Sequence, residues 1–195
     1  MNFLAHAVLS FNDPELLAGN MISDFVKGRK KYDLPPAILA GVDLHRAIDE
    51  FTDNHPVNKQ ARSVFSPYRL YSASILDIIY DHFVANDPGL FADSSLEAFV
   101  KGVYTSLSRH ESFFPPKFAA MFPYMKSQDW LYNYREEDGI YRSLSGLKRR
   151  ASYIVEVETA FNIFLLEKKS LQEYYNRFFP DLYQFAKVKA SELRR

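Results

Sequence analysis

Three stretches of this chain set carboxylates and imidazoles among apolar residues, where each must find a cation, a hydrogen-bond donor or a proton. In Leu76-Asp77-Ile78-Ile79-Tyr80-Asp81-His82-Phe83-Val84 apolar residues cover nearly every side of a helix, the pattern of a buried one. Asp77 and Asp81 are four residues apart within it and so share a face. Two like charges there call for a metal ion, an arginine or a lysine. His82, about 100° further round, joins such a site from its flank or binds a supporting partner. The competing reading is an exposed acidic stripe with His82 as a hydrogen-bonded core residue.

A second stretch carries His45, Asp49 and Asp53 at four-residue steps, lining one edge of a helix. Imidazole and carboxylate at that spacing can grip one cation together. The alternative is a solvated ion-pair stripe that includes Arg46 and Glu50. The third stretch, Gly19 to Val26, sets Asp24 between apolar residues with Asn20 one turn earlier. His6 stands in Phe3-Leu4-Ala5-His6-Ala7-Val8, and taken alone it reads as a satisfied core histidine. Lys27, Arg29, Lys30 and Lys31 are four cations within five residues. They read either as a solvated helix end, which favours cations, or as a contact for phosphate or an acidic protein. Lys148-Arg149-Arg150 is a second cluster of that kind.

The elements that position these groups read as helices. Glycine is scarce, β-branched alternation is nearly absent, and apolar residues recur at three- and four-residue intervals. A first helix is expected within the first ten residues, and a second from Pro14 to about Lys30, capped by Asp13. A third starts at Pro35-Pro36 and ends near Asp53–Pro56, and a shorter one covers Pro56 to Phe65. Ser66-Pro67 opens a long helix to about Asn86. Ser94 or Ser95 caps the next, to about His110, and Pro115-Pro116 begins another. The last 60 residues read as aromatic-rich helices with a weak break at Gly146. With no repeat, linker or low-complexity tract, residues 1–195 are expected to form one compact all-α multi-helix domain.

Composition narrows the partners. Basic and acidic residues number 24 each, so no global field draws the chain to nucleic acid or to a membrane. The absence of cysteine excludes disulfides and thiolate zinc sites, which leaves manganese, magnesium, iron or a His-rich zinc site. No run approaches the ~18 apolar residues of a membrane span. The first ten residues lack the basic start and length of a signal peptide, so a cytoplasmic location is expected.

Taken together these segments resemble the acyl carrier protein phosphodiesterase family. The resemblance rests on Met1-Asn2-Phe3-Leu4-Ala5-His6, Gly19-Asn20, Ser23 to Gly28, Pro35-Pro36, Ala40-Gly41, Leu44 to Asp49, Thr52-Asp53 and Leu76 to Phe83. It continues more weakly through Trp130-Leu131 and Tyr134 to Gly146. It implies a cytoplasmic hydrolase that frees 4′-phosphopantetheine from the serine of holo-acyl carrier protein, with Mn²⁺ as the expected metal and Mg²⁺ or Fe²⁺ as alternatives. It also implies a distant relation to the helical histidine–aspartate metal-dependent phosphohydrolases, although their adjacent His-Asp pair stands reversed here as Asp81-His82. Carried over by residue, the polar set is His6, Asp24, His45, Asp49, Asp53, Asp77, Asp81 and His82.

Phosphodiester hydrolysis needs charge neutralisation at phosphorus and an activated water, which a divalent metal supplies. Asp24, His45, Asp77 and Asp81 are the leading ligands on this reading, with His82 and His6 beside them. Asp49 or Asp53 serves as general base or supports the ligands, and Arg46 or Lys27 stabilises phosphate charge. The Lys27–Lys31 cluster is the expected docking surface for the acidic carrier, and an aromatic-lined groove would suit the pantetheine arm. Two rivals stand beside this reading: a phosphohydrolase of nucleotides or other small phosphate esters, and a non-enzymatic helical binding protein whose acids form buried ion pairs.

Overall fold

The computed structural model describes residues 1–28, 33–91, 94–151 and 154–194. Among them there is no β-strand. Ten helices follow in order: α1 (Phe3–Val8), α2 (Pro14–Ile22), α3 (Pro36–Asn54), α4 (Pro56–Ser63), α5 (Ser72–Ala85), α6 (Leu96–Ser108), α7 (Pro116–Ser127), α8 (Trp130–Asn133), α9 (Glu137–Arg150) and α10 (Glu158–Leu193). Among the described residues no helix is long and apolar enough to cross a membrane.

Half of these helix starts follow the chain's own punctuation. Pro14, Pro36, Pro56 and Pro116 occupy first turns, where the missing N–H costs nothing. Asp13 Oδ1 accepts the N–H groups of Glu15 (3.1 Å) and Leu16 (2.9 Å), capping α2. Ser95 caps α6 through the Ala98 N–H at 3.1 Å. Three boundaries differ from expectation. Helix α2 ends at Ile22 rather than near Lys30, because the chain tightens into a 3₁₀ turn at Ser23–Phe25 and then reaches Gly28 with φ +61°. The helix expected from Ser66 begins at Ser72, since Arg69 (φ 33°, ψ −92°) breaks the preceding 3₁₀ turn. Gly146 lies inside an unbroken α9, which ends at Arg150, and the 36-residue α10 begins at Glu158.

Helices α2 and α3 meet backbone to backbone. A Cβ built on Gly19 would lie 1.9 Å from the Ile38 carbonyl oxygen, and one on Gly41 would lie 2.3 Å from that of Leu16. Only paired glycines let these backbones touch, and their contact brings Asn20 and Asp24 alongside His45. Helix α5 is buried from Ile75 through Ala85 except at Asp77. Its Tyr80 stacks on Phe178 of α10, with ring centroids 5.5 Å apart. Each such large apolar side chain contributes about 2–3 kcal/mol by leaving water. Helix α10 also packs on α3, α4 and α9, closing one continuous core.

Candidate functional site

Four elements bring polar groups to one place: α1 with His6, α3 with His45 and Asp49, the 3₁₀ turn after α2 with Asp24, and α5 with Asp77 and Asp81. His45 is 6% exposed and is gripped from both ring nitrogens. Its Nδ1 donates to the Asn20 carbonyl oxygen at 2.8 Å. Its Nε2 lies 3.2 Å from Asp24 Oδ1 and 3.1 Å from Asp49 Oδ2. His6 is 2% exposed and stacks on His45 with centroids 3.9 Å apart and planes at 13°. Asn20 Nδ2 (2.9 Å) and Ser10 Oγ (2.8 Å) both donate to the His6 carbonyl oxygen, fixing the residue's backbone.

The two imidazoles differ in charge. Burial opposes protonation of His45, yet its hydrogen bonds to Asp24 and Asp49 outweigh burial and raise its pKa from 6.5 to about 9. Burial and the neighbouring His45 charge pull His6 down to about 4, against the attraction of Asp49. Burial pushes the Asp49 carboxyl up, but the hydrogen bond from His45 and the nearness of the His6 ring bring it well below the usual carboxylate range. Asp24 is lowered chiefly by its hydrogen bond with His45; it is 69% exposed and stands at the solvent rim.

The donor set fits a divalent ion. His6 Nδ1 and Nε2 are both buried and meet no hydrogen-bond partner among the described residues, although Nε2 lies 3.3 Å from Asp49 Oδ1. An imidazole stripped of water and given no partner is costly, and a metal bond is one way to satisfy it. His45 donates Nδ1–H to a main-chain carbonyl, the support that orients a ligating imidazole, and an ion at Nε2 would displace the proton that Nε2 shares with Asp24 and Asp49. One ligand atom each from His6, His45 and Asp49 lies within 4.8 Å of the others.

The carboxylates of α5 answer a different need. Asp81 is wholly buried and accepts the N–H groups of Leu4 (2.7 Å) and Ala5 (3.1 Å), so it closes the first turn of α1. Burial raises its pKa to about 7 against those two donors. The Met1 amine lies 3.3 Å from both Asp77 Oδ1 and Asp49 Oδ1. Burial lowers the amine's pKa, but Asp77 and Asp49 outweigh it and raise it to about 10. Asp77 is itself raised by burial, against the amine. The cation that the acidic face of α5 requires is thus supplied in part by main-chain N–H dipoles and an ammonium group.

The structure brings His6, Asp24, His45, Asp49 and Asp77 together, with Asp81 behind them. It does not bring His82 or Asp53 there. His82 Nδ1 donates to the Tyr134 carbonyl oxygen at 2.8 Å, its ring lies edge-on to Phe164, and burial lowers its pKa. Asp53 is 64% exposed and pairs with Arg62. Arg46 is exposed, 3.9 Å from Asp43. Lys27 is exposed, whereas Arg29, Lys30 and Lys31 lie outside the described residues. The Asn20 carbonyl, Ser10 and the Met1 amine went unassigned from sequence. Asn20 was visible one turn before Asp24, but nothing marked the other two.

Comparison with known proteins follows the same line. A family model described as acyl carrier protein phosphodiesterase matches residues 1–182. A protein named acyl carrier protein phosphodiesterase from Yersinia pestis is 32% identical over 191 residues, 97% of this chain and 99% of the relative. One of the same name from Klebsiella pneumoniae is 34% identical over 191 residues, with the same coverage. Another from Salmonella paratyphi A is 32% identical over 192 residues, 97% of this chain and 100% of the relative. No solved structure matches the chain.

Proposed function

The chain belongs to the acyl carrier protein phosphodiesterase family, and we propose on that premise that it hydrolyses the phosphodiester between 4′-phosphopantetheine and the serine of holo-acyl carrier protein, releasing the apo-carrier. The observation that carries the chemistry is the unpartnered, buried His6 stacked on His45 beside Asp49. These three residues would hold a divalent ion, Mn²⁺ by preference and Mg²⁺ or Fe²⁺ as alternatives. When bound, the ion supplies charge neutralisation at the phosphodiester and a lowered pKa for water.

On this reading the remaining groups take supporting roles. Asp24, ionised and at the solvent rim 3.2 Å from His45 Nε2, is placed to accept a proton from the attacking water. Asn20 holds His45 in one tautomer through its carbonyl. The ammonium group lies 3.3 Å from both Asp49 and Asp77 and favours the charged form of each. Arg46 follows His45 in the chain, and Lys27 follows Asp24 by three residues; both offer positive charge to a phosphate. Residues 1–195 act as one domain on this reading, in the cytoplasm, in fatty-acid metabolism. The acidic carrier docks on the Lys27–Lys31 cluster.

The test is intact-mass spectrometry of holo-carrier incubated with this protein and Mn²⁺, with and without EDTA. Metal-dependent loss of the phosphopantetheine mass is the expected result. A carrier left intact in both arms would overturn the proposal.

A further inference from the structure

Beside the polar cluster runs a groove of about 420 Å³, within the ~300–1,000 Å³ typical of small-ligand sites. Part of its lining is the N-terminal segment, through Asn2 and Phe3, with Ile78 of α5; the rest comes from α7 through α9. Asn2 and Phe3 lie in the chain between Met1, whose amine meets Asp49 and Asp77, and Leu4, whose N–H meets Asp81. Ile78 directly follows Asp77. The same stretch of chain therefore forms the edge of the polar cluster and the side of the groove.

The lining is chemically mixed in a particular way. Phe3, Met121 and Trp130 supply apolar surface, and Asn133 and Ser143 supply groups that pair with amides. Arg149 and Arg150 line it as well. Among the described residues neither meets a carboxylate within ion-pair distance, whereas Arg142 pairs with Asp138 at 2.6 Å. A ligand that suits this lining is an extended chain with methyl groups, amide bonds and a phosphate at one end.

We propose that this groove holds the pantetheine arm of the substrate while its phosphate lies at the His6–His45–Asp49 cluster. The inference rests on the hydrolytic reading above and adds where the leaving group binds. The arm occurs both on the carrier and in coenzyme A, and the groove recognises the shared diamide chain; the carrier is the source that also brings the scissile serine ester.

Trp130 is the sole tryptophan, so its fluorescence reports on the groove without a label. Gly146 also lines the groove, and among the described residues a Cβ there meets only the tip of Arg149 at 3.8 Å, so Gly146→Leu adds bulk to the groove from a Cβ that strikes no backbone. Free 4′-phosphopantetheine, coenzyme A and holo-carrier are each titrated into wild type and Gly146→Leu. The expected result is a saturable change in Trp130 emission with all three in wild type, lost in Gly146→Leu. That variant keeps wild-type Mn²⁺ affinity and melting temperature, and its KM for holo-carrier rises about tenfold or more with kcat little changed. Cleavage by wild type with a silent Trp130 and an unchanged KM in Gly146→Leu would overturn the groove assignment alone. A response to coenzyme A but none to holo-carrier would also overturn it. If wild type leaves holo-carrier intact, the parent reading falls, and the groove then stands only if phosphopantetheine gives a saturable response that Gly146→Leu abolishes.

Discussion

The same chemical change, glycine to alanine, should have opposite effects at two helical positions. At Gly19 the new methyl carbon would lie 1.9 Å from the Ile38 oxygen and 2.8 Å from the Gly41 Cα, both backbone atoms with no rotamer to yield. An ordinary contact needs more than 3 Å, so α2 and α3 must separate by over an ångström. Overpacking of this kind costs about 3 kcal/mol or more, which lowers the melting temperature by roughly 6–12 °C in a chain of this size. The separation acts on the site as well. The His45–Asn20 hydrogen bond, 2.8 Å across the same interface, would stretch beyond bonding distance. At Gly102, inside α6, nothing lies within 4 Å of the added atom. There the helix preference of alanine should stabilise the protein by about 1 kcal/mol, or roughly 2–4 °C. Differential scanning calorimetry on the two variants reads both effects. A Gly19→Ala protein within 1 kcal/mol of wild type would refute the argument that glycine contact sets the α2–α3 spacing.

Other perturbations probe the charges. In metal-free protein His45⁺ contributes stability that is fully present below pH 6.5 and is lost as pH rises through about 9. The shift corresponds to about 3 kcal/mol, measurable by urea titration from pH 6.5 to 9.5. The Met1 amine, raised from 8.0 to about 10, adds a loss of the same sign at the upper end, so His45→Gln should flatten only the lower part of the profile. Asp81→Ala strands two buried N–H groups and should cost about 2–4 kcal/mol in the same assay.

Much of the fold was legible because proline and capping residues mark where helices begin. Asp13-Pro14, Pro35-Pro36 and Ser95 act locally, and local signals survive in a sequence. The errors fell where backbone conformation departs from what side chains announce: the 3₁₀ turn at Ser23, the break at Arg69, and the uninterrupted helix through Gly146.

The site divides the same way. His45 and Asp49 meet because four residues is one helical turn. Asp24 and His6 reach them only through tertiary contact, so their spacing could not reveal it. His6 read alone as a satisfied core histidine, and the structure leaves both its ring nitrogens unsatisfied. Asp53 follows the same four-residue rule as Asp49, yet the drift of about 40° per step carries it out to Arg62. Asp77 and Asp81 did signal a missing cation, but its nature, an ammonium group and the first turn of α1, depends on how α1 lies on α5.

On the proposed reading the His6–His45–Asp49 cluster carries metal-dependent cleavage. The most direct measurement is turnover of holo-carrier, read by intact mass, using chelator-stripped wild type, Asp49→Ala and Asp53→Ala with and without restored Mn²⁺. Stripping should abolish turnover in all three. Metal should restore wild type and Asp53→Ala to within about twofold of each other, while Asp49→Ala stays down by more than about 100-fold. Undiminished turnover after stripping, or full activity in Asp49→Ala, would contradict the account.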